Sequence, residues 1–125
     1  MIEKLEEHVV YQNPEPVLCS RFAKFAELVQ LPSGELIALY ELGEAFESVD
    51  CFTHVSRSKD FGKTWTYQGP LYDPSKVKAP ISESLKGTLL IDGTLFAVGS
   101  RFDRSNPKLT VSNPKTDGLL PGKNV

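Results

Sequence analysis

Four cations in this 125-residue chain, Arg21, Lys24, Arg101 and Arg104, flank apolar runs, and acidic residues stand near them at Glu41, Glu44, Glu47, Asp50, Glu83 and Asp103. A guanidinium fork matches the two oxygens of a carboxylate, whereas a lysine offers only a point charge. A carboxylate drawn out of water becomes a weaker acid and can then protonate a leaving group. Residues 41–50 either do such chemistry or form a solvated acidic loop. Arg101-Phe102-Asp103-Arg104 either presents two cations to an anionic ligand or pairs within itself through Asp103.

Short β-rich runs separated by Pro and Gly must position these groups, and helical periodicity is scarce. Residues 25–31 read as a strand, Pro32-Ser33-Gly34-Glu35 as a tight turn, and residues 36–40 as a strand apolar on both faces. After the acidic segment, residues 52–58 and 64–68 complete an antiparallel four-stranded meander. The pattern then restarts. Residues 86–90, the turn Ile91-Asp92-Gly93-Thr94 and residues 95–99 repeat the first hairpin, with Gly93 standing 59 positions after Gly34. Four-stranded units at periods of about 40–50 residues belong to β-propellers, and extended loops lengthen the period.

In this scheme both hairpin turns point to one end. The other end collects Arg21, Lys24, Glu41, Glu44, Glu47 and Asp50 from the first unit. From the second it collects Lys78, Ser82, Glu83, Ser84, Arg101, Asp103 and Arg104. Loops at one end of a rigid scaffold are where binding residues usually sit.

The net charge of -2 gives no reason to expect nucleic acid or an anionic membrane as the main partner, and no apolar run is long enough to cross a bilayer. The acidic start, Met1-Ile2-Glu3-Lys4-Leu5-Glu6-Glu7, lacks the apolar core of a signal peptide. A cytoplasmic protein is expected, or a secreted one whose leader has been processed or truncated. Cys19 and Cys51 make neither a disulfide scaffold nor a zinc site. Two reduced, half-buried thiols are expected, with a single disulfide as the alternative. His8 and His54 are far apart, His54 inside a strand, so no metal site and no cofactor are expected.

Ser58-Lys59-Asp60-Phe61-Gly62-Lys63-Thr64-Trp65 follows the pattern Ser-x-Asp-x-Gly-x-Thr-Trp. Ser58 and Asp60 can hydrogen-bond within the turn, Gly62 supplies a positive φ, Thr64 opens the next strand, and Trp65 packs beneath. The motif resembles the Asp-box, or BNR repeat, of the sialidase superfamily. With the preceding strands it looks like that family's first propeller blade.

The resemblance implies an all-β fold of antiparallel four-stranded blades, about one and a half of a six-bladed propeller. Residues 1–20 would lead in, 21–70 would form the first blade, and 71–125 a truncated second. It implies that the Asp-box residues Ser58, Asp60, Gly62, Thr64 and Trp65 are structural and lie away from the active site. The family's general acid lies in the loop after the second strand, which here offers Glu47 and Asp50, with Glu44 further back. The family's first carboxylate-binding arginine falls at Lys24-Phe25-Ala26, where Lys24 keeps the charge without the fork, and Arg21 lies three residues earlier. Arg21, Lys24, Arg101 and Arg104 are the expected substrate-binding residues. The function implied is part of a glycoside hydrolase acting on glycans such as sialosides, inactive as an isolated piece. The alternative is a non-catalytic module that binds carbohydrate or protein. Expected partners are a glycan and either the missing blades or further copies of the chain.

Overall fold

The computed structural model describes residues 3–14, 21–46, 48–78, 80–106, 111–113, 115, 116, 118 and 120. The protein is all-β, built from two antiparallel sheets of four and two strands. The first sheet holds β1 (Phe22–Gln30), β2 (Leu36–Gly43), β3 (Phe52–Ser58) and β4 (Thr66–Pro70), side by side in chain order. A 3-10 turn, Pro74–Lys76, leads to the second sheet, β5 (Ile81–Leu89) with β6 (Leu95–Asp103).

The β1–β2 and β5–β6 hairpins turn in the same way. Gly34 and Gly93 take φ values of 88° and 85°, a region closed to most side chains. Their amides donate to the carbonyls of Leu31 and Leu90, both at 2.9 Å. The amides of Leu31 and Leu90 donate to Glu35 and Thr94, again at 2.9 Å. Both bonds thus recur at a 59-residue offset, so the repeat read from the sequence is present in the backbone.

β2 is buried on both faces. Ile37 and Leu39 join Val29 and pack with Leu89 and Leu95 of the second sheet. Ala38, Tyr40 and Leu42 point the other way, where Val10, Tyr11 and Trp65 cover them. A sheet therefore covers one face, and the N-terminal segment covers the other. Gly87 lets the two sheets approach, because a Cβ there would stand 2.7 Å from Leu39 Cδ1. Backbone and side-chain bonds tie the layers: Glu83 N–H donates to Cys51 O at 2.9 Å, and Leu85 N–H to Thr53 Oγ1 at 2.8 Å.

Candidate functional site

The turn between β3 and β4 directs its polar atoms inward. Ser58 Oγ donates to Asp60 Oδ1 at 2.8 Å and accepts from Gly62 N–H at 2.8 Å. Thr64 donates twice to Asp60, from its amide at 2.9 Å and its hydroxyl at 2.6 Å. Those two bonds, then Ser58, hold the Asp60 carboxyl down to about 2. Gly62 has φ 89°, and its carbonyl accepts from Trp65 Nε1 at 2.8 Å. With its hydrogen bonds spent on the turn, Asp60 acts as a clamp on the hairpin. Arg57 reaches Glu35 at 2.9 Å, so this turn shares an end with the Gly34 turn.

The candidate cations gather at the opposite end. Register pairs Lys24 with Glu41, and their side chains, 7% and 9% exposed, form an ion pair of 2.7 Å. Lys24 Nζ also donates to the Phe46 carbonyl, lies 3.5 Å from Cys51 Sγ, and sits 4.6 Å from the centre of the Phe46 ring. A bulge follows Lys24, with Phe25 at φ 54°, so the strand swings aside beside this pair. Arg21 pairs with half-exposed Asp50 at 3.2 Å, and Asp50 also accepts from Glu44 N–H at 3.1 Å. Glu47 and Cys19 lie outside the described residues. Cys51 is a buried free thiol whose pKa burial pushes up.

On the second sheet, Arg101 faces Glu83 across the strands and pairs with it at 3.1 Å. Glu83 is fully buried. Its other oxygen and the Tyr72 hydroxyl are both buried and unbonded. Burial first, then Glu83, pushes the Tyr72 phenol up to about 12. The Arg101 guanidinium lies 5.4 Å from the Tyr72 ring centre, in cation–π range. Arg104 is 5% exposed and donates from Nε to Ser82 Oγ at 2.7 Å. Asp103 accepts from the amide and hydroxyl of Ser105, both at 2.9 Å.

A cleft of about 450 Å³ opens between these groups. Its polar lining includes Glu41, Ser82, Glu83 and Arg104, with Phe25 and Phe46 as apolar wall. Those two rings meet edge to face, 5.7 Å apart. Of the four candidate cations only Arg104 lines the cleft, and Asp50 does not. Glu41 and Glu83 were placed at this end by the sequence, but their role as buried counter-charges was missed. A signal existed for Glu41, a lone acid in an otherwise apolar strand.

His54 stacks on Tyr67 at 14° and bonds its hydroxyl through Nδ1 at 2.7 Å. Burial lowers the ring's pKa below its ordinary 6.5, and Arg21 lowers it further. Tyr40 is buried with its hydroxyl 2.9 Å from Ser56 Oγ, and burial pushes it up to about 12. Among the described residues no cluster of His, Cys, Asp and Glu could hold a metal ion, and no helix is long and apolar enough to cross a membrane. Comparison with protein-family models, curated proteins and solved structures gave no match.

Proposed function

We propose that the chain is part of a sialidase-like β-propeller glycoside hydrolase, whose glycan-handling end is the one that carries the cleft. The observation that carries this reading is the repeat. Two hairpins with the same turn bonds and the same positive-φ glycine pack face to face, 59 residues apart, and the Ser-x-Asp-x-Gly-x-Thr-Trp hairpin stands at their turn end. The six described strands are too few to close a propeller, which needs about four to eight blades of four strands each. The remaining blades come from further chain or from other copies. In this reading the Asp-box orients the blade and Asp50 is the acid candidate, with Glu47 beside it in sequence.

The Lys24–Glu41 ion pair favours a second reading, a propeller that binds a glycan without cleaving it. The resemblance puts a carboxylate-clamping arginine at Lys24, and Lys24 is buried against its own counter-charge. A panel of fluorogenic sialosides and other glycosides, offered to the full-length protein, separates the two. The hydrolase reading expects turnover that falls at least about a hundredfold in Asp50→Asn. Binding on a glycan array without turnover would establish the second reading. Neither turnover nor binding would overturn both.

A further inference from the structure

Phe25 and Phe46 are unusually bare for aromatic side chains. They are 51% and 56% exposed, and both line the cleft, whose volume of about 450 Å³ suits a small molecule. Phe25 also holds a backbone φ of 54°, a conformation that bulky residues rarely adopt. Strain of this kind persists where the surroundings fix it, and it gathers at binding sites. Here the bulge after Lys24 carries the strain, and Lys86 fixes it by donating from Nζ to the Phe25 carbonyl. The Phe25 ring stands edge to face against Phe46, 5.7 Å away. The second sheet contributes small residues to the same cleft, Gly99 and the cross-strand pair Ser84 and Ser100.

Both rings already carry cations. Lys24 Nζ lies 4.6 Å from the centre of Phe46 and 5.9 Å from that of Phe25, and Lys86 Nζ lies 5.7 Å from Phe25. A cation draws the π electrons of a ring toward itself and leaves the ring poorer in charge for its next partner. The C–H bonds of a sugar, slightly positive, then find a weak acceptor. The electron-rich face of another aromatic ring finds a strong one. We infer that the cleft holds an electron-rich aromatic group, such as a phenol ether, against Phe25 and Phe46. Ser84 and Ser100 offer hydroxyls to the oxygen substituents of such a ring. The inference deepens the glycan reading by naming what the sugar carries, an aryl aglycone, and it rests on that reading for the carrier alone.

The test is titration of the full chain with para-methoxybenzyl alcohol, para-nitrobenzyl alcohol, cyclohexylmethanol and methyl β-glucoside, all neutral. The ring resonances of Phe25 and Phe46 are followed by NMR on protein labelled at phenylalanine. The methoxy probe should bind saturably and move both rings, and the other three should each bind at least a few fold more weakly. Phe46→Leu should weaken the methoxy probe by about fivefold. Lys86→Met should narrow the margin between the methoxy and nitro probes, a change that lost packing alone would not produce. Absence of saturable binding by the methoxy probe overturns the inference. Equal or tighter binding of cyclohexylmethanol also overturns it, since the cleft would then be selecting for apolar bulk alone. The same holds for methyl β-glucoside, whose preference would make the rings a support for sugar. Should Phe46→Leu fail to fold, the series of probes on the wild type still decides. The methoxy probe has no glycosidic bond, so absence of glycoside turnover would leave its binding standing, and failure of the probe to bind would leave the turnover result standing.

Discussion

Lys24 and Glu41 lock each other inside the first sheet, and that makes each one dangerous to remove alone. Lys24→Met should cost about 3–5 kcal/mol, because Glu41 would stay buried without its counter-charge. The double variant Lys24→Met with Glu41→Leu should recover most of that loss, and urea denaturation of all three proteins would measure it. Asp60 acts differently, through pH. Its carboxyl is ordinarily at 3.8 and is held down to about 2 in the folded protein, so its contribution is complete above 3.8 and is lost as pH falls toward about 2. Asp60→Asn should be less stable than the wild type above that window and should lose the dependence within it; denaturation curves across the window would show the two converging. At this scale the roles of Ser58, Asp60 and Gly62 in the turn were legible, since every bond they make there is local. The ion pairs were not. Arg101 finds Glu83 rather than a chain neighbour, and only the β5–β6 register reveals that.

At the scale of elements, the turns announced themselves and the strand ends did not. Gly34 and Gly93 mark hairpins because few other residues accept their φ. Gly34→Ala and Gly93→Ala should each cost about 1 kcal/mol or more. If the two hairpins are equivalent, the losses measured by thermal unfolding should be similar. β5 begins at Ile81, where Ser82-Glu83-Ser84 reads as loop from polarity alone. Those residues sit in the sheet because Arg101 neutralises Glu83 and Arg104 occupies Ser82. β4 starts at Thr66 rather than Thr64, since Thr64 and Trp65 are held in the turn by Asp60 and Gly62. The bulge after Lys24 was invisible in the sequence, because neither Lys24 nor Phe25 is a residue type that signals a kink.

At the scale of the molecule, one face of the second sheet is buried at its Ser82 end but bare toward the turn, where Phe96 and Val98 are 48% and 58% exposed. Among the described residues β6 pairs with β5 alone. Exposed apolar side chains on a strand with a free edge invite another sheet. The 125-residue chain alone should therefore associate as its concentration rises. Val98→Lys should shift it toward monomer in sedimentation velocity while leaving its melting temperature nearly unchanged. A wild-type chain that stays monomeric at high concentration would argue against a third sheet docking there. The all-β class and the repeat were legible from turn spacing. Which face lay bare was not, because the residues that cover β2 on one side come from a segment without regular structure.

Gly87 has a meaning beyond close packing. The cleft lies beside the contacts that join the two sheets, and Gly87 against Leu39 is the one among them that depends on a missing side chain. A spacer there strains β5, whose other end carries Ser82 and Glu83 into the cleft lining. Gly87→Ala adds one methyl and touches no charged group, yet it should change how wide a guest the cleft admits. The gauge of the site is thus set by a residue that no ligand would ever meet.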